Sequence, residues 1–262
     1  MKTHPGRILS LALAAIVASV LVPLANSPGA DAATPLLPDL RMTRVTKVAL
    51  DTTTIAGHRL LRYTARIVNV GAGPFETTGT RASTSDSTMP ATQDVYQSDG
   101  SVQAVPTDDT FYWAGDGHNH WHITDLEGGV LTRLDNGVVV GTSAKHGFHG
   151  ADDTAWDLAL PGAPQSEVYM ACSGNSCNMS TLSVTEGISV GWMDTYKYSV
   201  VFQWIDITGL KNGKYVLTQS ADPFGYFDET DDTNNTASAT VRITGTGVSV
   251  LSRTGGALPP VS

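Results

Sequence analysis

From residue 38 to residue 245 the chain never sustains a helical periodicity. Short extended runs are broken instead by Gly, Pro, Asn, Asp and Thr, which is the punctuation of an all-β protein. Candidate strands cover residues 40–48, 58–70, 118–124, 130–134, 138–143, 167–172, 196–208, 215–220 and 237–243. Strands at this modest spacing predict an antiparallel β-sandwich with long loops and little helix. Residues 77–109, rich in Ser, Thr, Asp and Pro, read as a long surface excursion that can shape the entrance to a site. Beyond Gly245 small residues, Gly and Pro dominate, so residues 247–262 are expected to form a flexible tail. No repeat with a period of roughly 20–50 residues is apparent, and residues 33–246 are read as one catalytic or binding domain.

The N-terminus has its own pattern. Lys2 and Arg7 flank an apolar segment over residues 8–24, followed by Ala30-Asp31-Ala32-Ala33, the three-part layout of a secretory signal peptide with cleavage expected after Ala32. No Cys lies near that point to carry a lipid, and no other apolar run is long enough to span a membrane. The expectation is a secreted, extracellular protein without a membrane anchor after cleavage. About 230 residues would remain, enough for one sizeable core. Lys and Arg number 16 against 25 Asp and Glu, a net charge of −9, which makes nucleic acid a poor partner and a cationic substrate an acceptable one. Cys172 and Cys177 are the two cysteines of the chain. In an exported protein they are expected to pair, and their spacing fits neither a redox CxxC nor a structural zinc site.

Three of the seven histidines fall within Gly117-His118-Asn119-His120-Trp121-His122. Side chains of a β-strand repeat every two residues, so His118, His120 and His122 can share one face while Trp121 and Ile123 anchor the other in the core. On a helix the same spacing would turn each ring by about 200° and the three could not converge. Imidazoles without thiolates suit copper(II), zinc, nickel or iron. A hydrolytic zinc site would need a carboxylate base, for which Asp116, Asp125 and Glu127 are nearby.

Two further stretches matter. Lys145 sits in Gly141-Thr142-Ser143-Ala144-Lys145-His146-Gly147-Phe148, after an expected strand end. Tyr196 and Tyr198 lie in Gly191-Trp192-Met193-Asp194-Thr195-Tyr196-Lys197-Tyr198, which leads into Gln203-Trp204-Ile205-Asp206-Ile207-Thr208. If residues 196–208 form one strand, both tyrosines share a face.

The histidine triplet, the lysine loop and the tyrosine segment ending in Gln203–Thr208, in that order, resemble the catalytic domain of the lysyl oxidase family. Leu60-Leu61-Arg62-Tyr63 with Arg66–Gly71 is similar to its early strand, and Glu229–Asn235 to its late acidic-amide loop. The resemblance implies copper ligated by His118, His120 and His122, and a lysine tyrosylquinone cofactor formed from Lys145 and Tyr196, although Tyr198 is not separated from Tyr196 by position alone. A primary amine would condense with the quinone, a base would remove its α-proton, and aldehyde, ammonia and hydrogen peroxide would be released. Asp194 and Asp206 are the candidate bases. The substrate implied is an amine, the lysine side chains of an extracellular protein or peptide included. The resemblance also implies a calcium site built from Asp39, the carbonyl of Leu40, Glu229, Asp231, Asn234 and Asn235, hard oxygen donors that calcium prefers; an Asx-rich turn is the plainer reading of the same loop. The vertebrate domain carries several disulfides and this chain can form one. His146 and His149 have no assigned counterpart. A secreted copper- or calcium-binding module without turnover is the alternative.

Overall fold

A computed structural model describes residues 32–115 and 117–258. The expected leader, apart from Ala32, and Asp116 lie outside the described residues. In chain order the strands are β1 (Pro35–Leu36), β2 (Leu40–Met42), β3 (Thr46–Asp51), β4 (Leu60–Asn69), β5 (Phe75–Thr80), β6 (Thr88–Gln97), β7 (Val102–Trp113), β8 (Trp121–Ile123), β9 (Glu127–Arg133), β10 (Val139–Thr142), β11 (Thr154–Ala155), β12 (Ser183–Ile188), β13 (Trp192–Tyr196), β14 (Trp204–Asp206), β15 (Gly213–Ala221), β16 (Thr236–Ile243) and β17 (Val248–Arg253). Single 3-10 turns at Ser173–Asn175 and Asp232–Asn234 are the helical elements among the described residues. The all-β expectation holds, and no described helix is long and apolar enough to cross a membrane.

The strands form three antiparallel sheets. One runs β12-β5-β6-β7-β8 with β1 beside β6, a second runs β10-β9-β15-β16-β17, and the third runs β11-β13-β4-β14 with β2 and β3 also on β4. Strand β4 has partners along both edges and is buried at nearly every position. That is why Leu60-Leu61-Arg62-Tyr63 does not alternate cleanly: a strand covered on both faces has no solvent side to declare. Tyr63, Phe111, Trp121, Leu131, Leu217 and Val241, drawn from all three sheets, meet in one apolar cluster.

Four expectations are corrected. Residues 77–109 are not a surface excursion but contain most of β5, β6 and β7; composition hid a period of two, and β6 buries Met89, Ala91, Gln93, Val95 and Gln97 while Thr88, Pro90, Thr92, Asp94 and Tyr96 face outward, exposed or half-buried. Threonine and valine suit that pleated surface. Residues 167–172 form no strand; Cys172 and Cys177 do pair, and their disulfide closes a loop in which Cys172, Gly174 and Asn175 have positive φ. Residues 247–262 do not begin as a loose tail, because β17 pairs with β16 and packs Val248 and Val250 against the core.

The fourth correction concerns residues 196–208. Tyr196 pairs with Ala65 and Trp204 with Arg62, so residues 197–203 must be accommodated across Tyr63 and Thr64 alone and leave the sheet. Arg62 holds them there, donating to the carbonyls of Tyr198 and Val200 while its guanidinium lies 4.5 Å from the Trp204 ring centroid. Phe202 adopts φ 64° at the return. Tyr196 and Tyr198 therefore do not share a strand face: Tyr196 is 7 % exposed and Tyr198 42 %.

Candidate metal centre

The histidine stretch is only partly a strand. Trp121, His122 and Ile123 pair with Trp113, Tyr112 and Phe111, and the amide of Ala114 donates to the carbonyl of His120 at 3.1 Å. Before that point Gly117 turns at φ 100°, a left-handed geometry that glycine adopts without a Cβ penalty. His118 thus approaches from a turn and His122 from the strand. Convergence does not require the full strand: the ligand atoms of His118, His120 and His122 lie within 4.8 Å of one another. Trp121 and Ile123 are buried as their parity requires. Burial, assisted by the charges of Lys145 and the neighbouring histidines, pushes His122 down to about 2, which keeps it as the neutral imidazole that a metal binds.

Lys145 is delivered by a loop stitched at both ends. Ala144 donates to the Trp204 carbonyl at 2.8 Å, Gly147 to Thr124 at 3.0 Å, and Phe148 and Ile123 exchange hydrogen bonds of 2.7 and 2.8 Å. Gly147, at φ 103°, lets the Tyr112 hydroxyl pass and donate to the His146 carbonyl at 2.6 Å. The lysine ammonium is buried, 5.4 Å from the Tyr196 ring centroid and 5.1 Å from that of Phe148. Buried Glu127 lies within charge reach of it; burial pushes that carboxyl up to about 8 and Lys145 opposes the rise.

On β13, Trp192, Asp194 and Tyr196 share one parity. The Tyr196 hydroxyl donates to Asp194 Oδ2 at 2.6 Å, with the His149 carbonyl 3.1 Å away. Burial and then the charge of Asp153 raise Asp194 well above its ordinary value, while burial and Asp194 raise the Tyr196 phenol.

His118, His120, His122, Lys145, Asp194 and Tyr196 line one cavity of about 190 Å³. Asp206 does not join them: it binds His58 Nδ1 at 2.6 Å and the amide and hydroxyl of Thr208, half-exposed on β14. Asp206 is accordingly set aside as a base on this cavity. Tyr198 also lies off it, beside Arg62 and Asp51. His146 is exposed. The same cavity contains Asp153 and His149, and Glu186 stands 3.3 Å from His149 Nδ1. One signal for Glu186 was available: Val184, Glu186 and Ile188 share the inward parity of β12, and a charge at a core position calls for a partner.

The residues expected to hold calcium also assemble. Glu229 accepts from the Leu40 amide and from Asn235 Nδ2, both at 2.6 Å, and Asn234 Nδ2 donates to Asp39 Oδ1 at 2.7 Å. Asp231 caps the short turn by accepting from the Thr233 amide. The side-chain oxygens of Asn234 and Asn235 are buried without hydrogen-bond partners, and burial pushes Glu229 up to about 8. Orphaned oxygen acceptors beside carboxylates fit a hard cation.

Residues 170–252 match the family described as Lysyl oxidase. That span contains Asp194, Tyr196 and the 229–235 loop, while the histidine triplet and Lys145 precede it. Protein-lysine 6-oxidase of Homo sapiens is 44 % identical over 61 residues, 23 % of this chain and 15 % of that protein. Lysyl oxidase homolog 1 of Homo sapiens is 38 % identical over 76 residues, 29 % of this chain and 13 % of that protein. Lysyl oxidase homolog 3B of Danio rerio is 27 % identical over 183 residues, 68 % of this chain and 17 % of that protein. Each match spans less than a fifth of the relative's own length. Together these similarities support kinship with the lysyl oxidase family.

Proposed function

We propose that this chain, a relative of the lysyl oxidases, is a secreted copper amine oxidase that converts primary amines, peptidyl lysine among them, to aldehydes with release of ammonia and hydrogen peroxide. The observation that carries the reading is the meeting of three imidazoles, a lysine and a phenol at one cavity, with Lys145 Nζ 5.4 Å from the Tyr196 ring centroid. Copper bound by His118, His120 and His122 supplies oxidation of the phenol by oxygen, and the lysine tyrosylquinone supplies the carbonyl that takes up the amine.

The chain's own residues do the rest. Asp194 is placed to receive the Tyr196 proton through their 2.6 Å hydrogen bond, so that the phenolate forms beside a neutral carboxylic acid rather than beside a second negative charge. Glu127 is the acceptor for the Lys145 proton, since only the neutral amine is nucleophilic. Burial raises the Asp194 carboxyl and so strengthens its carboxylate as the base for the substrate α-proton. Asp39, Leu40, Glu229, Asp231, Asn234 and Asn235 would hold calcium, which would have the structural part of tying the late loop to β2.

The test is to load the full chain with copper under oxygen, apply a quinone redox-cycling stain, and map its peptides by mass. A cross-linked pair holding Lys145 and Tyr196 is expected. Separate, unmodified peptides would refute the cofactor and leave a metal-binding module. Oxygen consumption across peptidyl-lysine and small-amine substrates then identifies the amine.

A further inference from the structure

One imidazole in the cavity has no part in the triplet. The centroid of the His149 ring lies 5.1 Å from that of His120, inside the 4.5–5.6 Å range that separates the triplet's own rings. Its side chain is 10 % exposed and lines the same cavity. Behind it stands Glu186, 1 % exposed, with Oε2 3.3 Å from His149 Nδ1. The approach lies off the hydrogen-bond axis, which leaves Nδ1 and both Glu186 oxygens without a well-directed bond. On the other side of the ring, Nε2 is 3.3 Å from the Ser176 hydroxyl.

This is the arrangement that supports a metal-binding imidazole: a carboxylate on one ring nitrogen fixes the tautomer and leaves the other nitrogen's lone pair for the ion. A buried carboxylate needs a cationic partner, and an imidazole bound to a dication serves as one. We propose that His149 is a fourth imidazole ligand of the copper, oriented by Glu186, completing the nitrogen set that copper(II) takes in tetragonal geometry. The proposal rests on the copper reading above. His149 stands outside the 4.8 Å set of triplet ligand atoms, so ligation draws the ring toward His120. Its carbonyl accepts the Tyr196 hydroxyl, and His149 therefore links the copper to the position of the phenol.

The experiment uses the full chain, ¹⁵N-labelled at histidine and loaded with one equivalent of copper(II), with equatorial imidazoles counted by pulsed electron paramagnetic resonance. Four are expected in the wild type and three in His149→Gln, with unchanged near-ultraviolet circular dichroism of the metal-free variant. Glu186→Gln should lower copper affinity about 10–100-fold in a chelator competition. Three imidazoles in the wild type, and an identical spectrum from His149→Gln, overturn the fourth ligand while the triplet stands. A wild type that binds no copper overturns both readings. If His149→Gln does not fold, the wild-type count and the Glu186→Gln affinity decide.

Discussion

Glu127→Gln should flatten part of the pH dependence of stability in the metal-free protein. Glu127 opens β9 buried near Lys145, and burial raises its carboxyl from 4.5 to about 8. In the unfolded chain the residue ionises near 4.5, so between that pH and about 8 the folded protein holds a proton that the unfolded chain has released. Stability from this group is complete below the lower value and falls as pH rises through the window. Ionising it in the folded state costs on the order of 5 kcal/mol more than in the unfolded chain. Glutamine keeps the shape and never ionises. Urea unfolding followed by tryptophan fluorescence, from about pH 5 to about pH 9 in the presence of a chelator, should show the wild type losing several kcal/mol more than the variant. Glu229, also raised to about 8, remains in both proteins, so the difference between the two curves is the readout. Parallel curves would refute the burial argument.

Tyr196→Phe should keep copper and lose the quinone absorbance and all turnover, whereas Tyr198→Phe should retain both; the opposite pattern in a visible spectrum and an oxygen-electrode assay would reverse the choice of tyrosine. At Gly147 an added Cβ would stand 2.1 Å from the Tyr112 hydroxyl on a backbone with φ 103°, and Gly147→Ala should cost about 1–3 kcal/mol in chemical denaturation; a neutral result would show that the Tyr112 contact yields freely. Calcium at about 100 times its dissociation constant should stabilise the wild type by about 2.7 kcal/mol, and Asn235→Ala should abolish that gain in a calcium-dependent thermal melt. An equal gain in the variant would remove Asn235 from the site.

How far the sequence discloses this fold depends on whether a strand has a wet side. β15 and β16 have one each, alternate cleanly, and stand within a residue or two of their expected limits. β4 is covered on both faces, yet its apolar run still marks it. Strands β5 to β7 escaped because their outward face carries Thr, Glu and Asp and even the buried face of β6 holds Gln93 and Gln97, a composition that suggests a loop while the spacing does not. The break between β13 and β14 was beyond local reading altogether. It follows from the register of Tyr196 and Trp204 on β4, a tertiary fact, and it decides which tyrosine lines the histidine cavity.

The candidate site was more legible than the strands that carry it, for a reason that lies in cost. Glu127, Glu186 and Asp194 are each almost wholly removed from water, and a lone carboxylate in that setting is destabilising by several kcal/mol. A fold retains such groups where something nearby offsets them, and here the offsetting groups are Lys145 and the imidazoles of one small cavity. Two of the three, Glu186 and Asp194, sit at inward parity between apolar neighbours, Val184 and Ile188 for one, Trp192 and Tyr196 for the other. Read as interruptions of a hydrophobic pattern, these charges point to the cavity as directly as the histidine triplet does. Asp206 fails the same criterion, being half-exposed and paired with His58 away from the cavity.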